Sequence, residues 1–582
     1  MHRLRSARWA ALLVGLALIA AACGGGDEDS GGGGGEAQIK EGGTHSFASD
    51  QEQAGFNPNT AKDNLFALSN IVTSIYPSVF NIHPDFTVQL SKEFMDSAEL
   101  TTEDPQTVVY KIKQNAVWSD GTPVTADDFI FWWENCNETN KKADCVSTTG
   151  YKDIESVTGS DGGKTVTTVY KNKFADWKSL FSQYIIPAHY TKKQPGGWNT
   201  GLDKNPEKIP SAGPFIVDSY TPGQSLTLKR NDKYYGTKAH LDSIVFRYLP
   251  ESTTQPAALQ NNEVDMIYGQ PQLDQVKIVE GIPDVTSEIP FGLSFEHLDF
   301  NVKNPLLADV AVRKAFATGL NIQQIVDRTV KQFSDKATIL GNRFFMNGQP
   351  EYQDHRGSYG NGDIAAAEKL LTDAGYAKGG DGIFAKGGKK LSFNISTTQG
   401  NKLRETQEQL IQAQAKEFGM EIKIKNAEAD VLFGEWLPKG NFDISNFAWV
   451  GTPFAVSSNQ PIFSTGSAQN YGKFSNKQVD ELFTQAIAEL DPAKSAELGN
   501  QADQLLWDDM ATLPLYQKPQ LIGWRNTYTG IGDNLSSQGP FWNAGLWAQK
   551  AAYSSENGEM LPTRAGGPPA RVGISSPCDV TG

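Results

Sequence analysis

Residues 118–133 read WSDGTPVTADDFIFWW, and the organisation of the 582-residue chain is read outward from this stretch. Gly121 and Pro123 follow Asp120 where a tight turn needs them. Thr125 then offers the hydroxyl that an N-cap uses to accept a free first-turn amide. Asp127 and Asp128 set negative charge against the positive end of a helix dipole. Phe129, Trp132, Trp133 and Cys136 recur at helical spacing, which predicts a helix with one apolar face against a core.

A turn leading into a capped helix occurs in many folds, but the order W-x-D-G-x-P-V-T-A-x-D is more specific. It resembles the signature of the family 5 extracytoplasmic solute-binding proteins, the oligopeptide, dipeptide and nickel receptors of bacterial ABC importers. Residues 210–215 (PSAGPF), 228–235 (LKRNDKYY), 262–265 (NEVD), 298–301 (LDFN) and 309–321 (DVAVRKAFATGLN) resemble further segments of that family in order and spacing. One departure is Asn321, which stands where the family's helix usually carries an Asp. The resemblance covers roughly 44–530. It implies an α/β, two-lobed periplasmic-binding-protein-like fold with a hinge, in which lobe I takes 44–290 and 518–582, with an extra subdomain at 71–205, and lobe II takes 291–517.

Length and composition bound the same reading. A chain this long exceeds a single core and suggests about three or four structural units. Hydrophobic residues make up 39%, enough for globular packing, and a formal charge of -15 without a Lys/Arg cluster argues against nucleic acid as a partner. Residues 1–22 read as an export signal: Arg3, Arg5 and Arg8, then an apolar run over 9–19 too short to span a bilayer, then Ala20, Ala21 and Ala22. Cys23 follows, and LIAAAC resembles a bacterial lipobox with Ala20 in place of the usual Leu. Lipidation at Cys23 is therefore the expectation, and plain secretion the alternative. Residues 24–43, mostly Gly, cannot bury enough apolar surface to fold, and read as a flexible tether of roughly 25 Å r.m.s. span. Cys136 and Cys145 lie close together in an exported chain and fit either a local disulfide or, for Cys136, a reduced core thiol; Cys578 has no obvious partner.

Helices are expected over 364–374 before Gly375, over 404–418 before Gly419, and in a run capped by Ser475 with Val479, Phe483 and Ala486 inward. Strands are expected at 107–112, 154–157, 166–170, 391–397 and 422–424. Helices and strands interleave, which is the α/β pattern. Gly163-Lys164-Thr165 reads as a turn, because a phosphate loop needs Gly where Thr158 stands.

Residues 442–453 (FDISNFAWVGTP) form a strand running into a Gly-Pro loop. Their place in the chain resembles the family segment in which a Trp and the backbone after it pair with an extended peptide as an added strand. The resemblance makes Trp449, Gly451, Thr452 and Asn446 ligand candidates, with Trp449 equally readable as core. In peptide receptors the third residue after that Trp is typically an Asp that holds the ligand's amino group; here it is Thr452. A hydroxyl cannot neutralise an ammonium, so either another acid does so or the ligand is not a free-amine peptide. Asp63 and Asn64 are candidates by position beside the cleft, against a solvated helix start. Arg404 could meet a ligand carboxylate or form a surface salt bridge.

No G-x-S-x-G, H-E-x-x-H or complete phosphate loop occurs, and the histidines lack ligand spacing, so no catalysis, cofactor or metal is expected. A secreted hydrolase with a flanking carboxylate pair is the remote alternative. The expectation is a monomeric receptor, lipid-anchored on the extracytoplasmic face of the cytoplasmic membrane. It would capture a small solute, a peptide above all, and deliver it to the permease subunits of an ABC importer. An envelope lipoprotein of the same fold with a sensing or assembly role is the rival.

Overall fold

The turn at the head of the signature is closed by its own residues. Trp118 N–H donates to the Thr122 carbonyl at 2.8 Å, the Asp120 carboxylate accepts from Thr122 N–H at 2.9 Å, and Gly121 takes a φ of 90° that a side chain would resist. Thr125 Oγ1 accepts from Asp127 N–H, and Asp128 reaches back to accept from Thr125 N–H at 3.0 Å, so a capping box opens the helix Ala126–Cys136. Phe129 and Trp118 are fully buried. Lys164 sits beneath, donating to the carbonyls of Ala116 and Val124 at 2.8 and 2.9 Å. The lysine of the Gly-Lys-Thr sequence therefore fastens the two ends of the signature turn. A disulfide joins Cys136 to Cys145.

The computed structural model describes residues 39–551 apart from 429, 430 and 468, so the export signal, Cys23, most of the Gly-rich segment and Cys578 lie outside the described residues. Residues 39–43 are not free tether. Ile39–Lys40 pairs antiparallel with Ala548–Lys550, Gly42 N–H donates to the His240 carbonyl at 2.8 Å, and Gly43 N–H to Asp242 at 2.9 Å. Backbone pairing, which needs no apolar side chains, extends the fold into a segment whose composition reads as coil.

Two large sheets carry the rest. A seven-stranded sheet has the order Val285–Glu288, Leu521–Arg525, Met266–Gly269, Thr44–Ser49, Ser243–Tyr248, Ser225–Arg230 and Phe215–Thr221, with Thr44–Ser49 parallel to both its neighbours. A five-stranded sheet has the order Glu421–Ile424, Ser392–Ser396, Ile444–Trp449, Phe291–Phe300 and Thr512–Pro519. Beside the first lies an antiparallel four-stranded sheet, Met95–Glu103, Gln106–Ile112, Thr165–Tyr170 and Ile154–Ser160, against which the signature helix packs. The result is an α/β molecule of two lobes.

The backbone passes between the two large sheets twice, from Glu288 to Phe291 and from Pro519 to Leu521. The crossings touch: Gln520 N–H donates to the Pro290 carbonyl at 3.0 Å, and Phe291 is in register with Pro519. In the second lobe, Lys402–Glu417 and Ile364–Asp373 are helices ending near Gly419 and Gly375, both at positive φ. The helix Lys477–Ala488 is capped by Asn476, which accepts from the amides of Gln478 and Val479, and not by Ser475 one residue earlier. Arg313 is buried and donates to the carbonyls of Leu307, Asp509 and Met510.

Asp299 is buried in the second lobe, and burial pushes its carboxyl up to about 7 against the opposing pull of Lys473 and the Gly472 amide. The folded chain thus holds a proton there up to about pH 7 that the unfolded chain releases near its ordinary value of 3.8. This contribution to stability is complete below that lower value and is lost as pH rises to about 7. Asp299→Asn, which cannot ionise, is expected to gain on the parent progressively between pH 4 and pH 8, by the order of a few kcal/mol at the upper end. Urea unfolding across that range checks it, and a difference that does not vary with pH would contradict it.

Candidate functional site

The strand Ile444–Trp449 runs down the middle of the five-stranded sheet and lacks a partner strand along part of one side, where the Thr397 hydroxyl donates to the Asn446 carbonyl at 2.7 Å. There it pairs with Ser392–Ser396 only at Ile444 and Ser445, and beyond Ser445 no described strand continues on that side. On the other side the pairing continues to Phe295 against Trp449, and Gly451 N–H donates to the Leu293 carbonyl at 3.1 Å. A Cβ on Gly451 would lie 2.3 Å from that carbonyl oxygen, so only glycine permits the approach. The chain then turns out past Val450, 65% exposed, and re-enters as the helix Ala455–Phe463.

The segment 452–458 borders two cavities walled by both lobes. The larger, about 630 Å³, has Asp85, Phe86 and Asp176 on the side of the first lobe. The second lobe contributes Leu293, Phe345, Met346, Glu351 and Val456 to it. The smaller, about 260 Å³, sets Trp132, Tyr151 and Gln183 of the first lobe opposite Thr452, Phe454 and Ser458 of the second. Trp132 comes from the signature helix and stacks on Tyr151 with centroids 5.6 Å apart. The Cys136–Cys145 disulfide ties down the chain just before Val146 and Ser147, which line the same cavity.

The two cavities differ in charge. The smaller has no ionisable acid or base in its wall except the Tyr151 phenol, which burial raises well above its ordinary range. The larger holds three carboxylates, Asp85, Asp176 and Glu351, and no Lys, Arg or His. The hydroxyl and amide of Thr87 hold the Asp85 carboxyl below its ordinary value. Desolvation pushes the Asp176 carboxyl up, offset in part by hydrogen bonding to Ser457, whose N–H donates to it at 3.4 Å. That bond crosses between the lobes, as do those from Ala175 N–H to the Ile487 carbonyl at 2.7 Å and from Asn401 to Gln270 at 3.0 Å. The volumes between the lobes therefore fit a drug-sized or short-peptide ligand.

Of the residues singled out in the sequence, Thr452 lines the smaller cavity, and its Oγ1 accepts from Phe454 N–H at 3.1 Å. Gly451 sets the path of the loop. Trp449 is half-buried in an aromatic stack, with Tyr471 at 5.7 Å and His297 at 6.0 Å, and its indole N–H meets no acceptor among the described residues. His297 is itself buried, which pushes its imidazole down to about 3 and keeps it neutral. Arg404 is neither ligand-facing nor a surface bridge: it turns inward and makes two 3.0 Å bonds to the fully buried Glu296. Asn446 is fully buried and donates to Gln407 at 2.8 Å. Asp63 is also fully buried and pairs with Lys62 at 2.5 Å, while Asn64 is exposed; neither lines an interlobe cavity. Asp176, Phe86 and Met346, which do line the cleft, sit in stretches with no motif to mark them.

Residues 90–471 match the model of the bacterial extracellular solute-binding proteins, family 5 Middle. The oligopeptide-binding protein OppA of Mycobacterium tuberculosis is 29% identical over 500 residues, covering 85% of this chain and 83% of that protein. The solved structure of the periplasmic EDTA-binding protein EppA is 30% identical with a TM-score of 0.85, covering 89% of this chain and 98% of that one. The oligopeptide-binding protein AppA of Bacillus subtilis, solved with a nonapeptide, shares the fold at 24% identity with a TM-score of 0.75 over 88% of this chain and all of that one.

Arg404→Gln leaves Glu296 buried without its cation, a change expected to remove about 3 to 5 kcal/mol of stability in urea unfolding. Parental stability in this variant would contradict an internal role for the pair.

Proposed function

The chain belongs to the bacterial extracellular solute-binding proteins of family 5, and from that premise we propose that it captures an oligopeptide between its lobes for an ABC importer. One observation carries the peptide reading. The strand Ile444–Trp449 loses its partner strand on one side where it approaches two cavities walled by both lobes. An extended peptide can add there as a strand, its main chain hydrogen-bonding and its side chains reaching into the cavities. The names of OppA and of the nonapeptide-bound AppA point the same way. An anionic chelate such as the EDTA in EppA's name would face three carboxylates and no base in the larger cavity.

In this reading the lobes divide at the paired crossings, 289–290 and 520, and rotate about them. A ligand that contacts both lobes favours the closed form by its differential affinity for that form. Lipidation at Cys23 tethers the receptor to the extracytoplasmic face of the membrane, and the closed form is what the permease subunits recognise. Binding and release, without a chemical step, is the whole of the chain's task.

The test strips carried ligand by unfolding and refolding the protein, then follows its melting temperature against di- to pentapeptides, sugars, Ni²⁺ and EDTA. A ligand at a hundredfold its Kd is expected to add about 2.7 kcal/mol. Peptides are expected to give that shift. A shift with EDTA or Ni²⁺ and none with peptides would overturn the peptide reading, and no shift with any class would favour the sensing or assembly role.

A further inference from the structure

We infer that Asp176 does the work that Thr452 cannot: reaching across from the first lobe, its carboxylate receives the free ammonium group of a bound peptide. The inference rests on the peptide reading above and adds to it the end of the peptide that the larger cavity takes. Thr452 carries no charge, and its hydroxyl oxygen is already engaged by Phe454 N–H at 3.1 Å. Asp176 lies against the same loop from the other side, since it accepts from Ser457 N–H at 3.4 Å, and it lines the larger cavity together with Pro453, Ala455 and Val456.

Charge balance singles out Asp176 among the three acids of that cavity. No cation pairs with it among the described residues, and the wall holds no Lys, Arg or His. Asp176 is part-buried, and a carboxylate held partly out of water without a counter-charge gains from a ligand ammonium placed beside it. The raised Asp176 carboxyl is the same imbalance seen as a proton affinity. Asp85 is exposed and already accepts from the amide and hydroxyl of Thr87, at 3.0 and 2.7 Å. Glu351 is exposed, where an ion pair is screened and gains little. Because Asp176 belongs to the first lobe and its hydrogen-bond partner Ser457 to the second, an ammonium held at this point touches both lobes, and its binding favours closure.

The probes are the tetrapeptide Ala-Phe-Ala-Ala and its N-acetylated form, titrated calorimetrically into the full mature chain after ligand stripping. The parent is expected to bind the free-amine peptide at least tenfold tighter than the acetylated one. Asp176→Asn is expected to bring the two within about twofold of each other, while Asp176→Glu, which keeps the charge, retains most of the preference. Melting temperatures of the unliganded variants check that both fold. Equal binding of the two peptides by the parent, or a preference that survives in Asp176→Asn, overturns this inference and leaves the peptide reading standing. A preference abolished instead by Asp85→Asn or Glu351→Gln also overturns it. Failure of both probes together with every peptide of the thermal screen overturns the peptide reading, and this inference with it.

Discussion

Two short crossings, 289–290 and 520, are the only backbone passages between the large sheets among the described residues, and the hydrogen bond from Gln520 N–H to the Pro290 carbonyl holds them side by side. A pair of adjacent crossings resists sliding and tilting but permits rotation about the line through them. Pro290 and Pro519 restrict the backbone on either side and keep the bend local. The strand Phe291–Phe300 starts at this point and pairs with both Thr512–Pro519 and Ile444–Trp449. The position of the loop at 450–457 is therefore set, through two ladders of backbone hydrogen bonds, by the hinge itself.

What the hinge brings together is uneven in polarity. One side of the loop faces an uncharged cavity with Trp132 and Tyr151 in its wall, and the other faces carboxylates without bases. An uncharged, partly aromatic pocket beside an acidic one suits a molecule with an apolar or neutral part and a cationic end. Charges inside the second lobe are balanced separately. Glu296 and Arg404 satisfy each other, and Arg343 pairs with Asp503 at 2.9 Å with both side chains fully buried. These pairs hold the walls, and the wall of the larger cavity itself holds no Lys, Arg or His.

Local chemistry made the signature legible. Thr125, Asp128 and Gly121 act on neighbours two to three residues away, and at that range residue type and spacing are enough. The candidate site was less legible because its partners are remote in sequence. Arg404 shares a helix face with Gln407, Glu408 and Ile411, all buried, so its phase pointed inward. Its partner Glu296, however, lies 108 residues away, and no pattern announces it. Asp176 meets Ser457 across 281 residues and between lobes, so nothing in its own neighbourhood distinguishes it from a solvated acid. The one signal in the sequence was indirect: with Thr452 where peptide receptors typically carry an Asp, either another acid holds a ligand's amine or the ligand is not a free-amine peptide.

The central claim is that the lobes rotate about the paired crossings to enclose a solute. Small-angle X-ray scattering of the refolded, ligand-stripped protein, with and without a saturating peptide taken from the thermal screen, tests it most directly. The account predicts a smaller radius of gyration and a shorter maximum dimension on binding, with no change in mass. Superimposable scattering curves for the free and the peptide-saturated protein would contradict closure about this hinge.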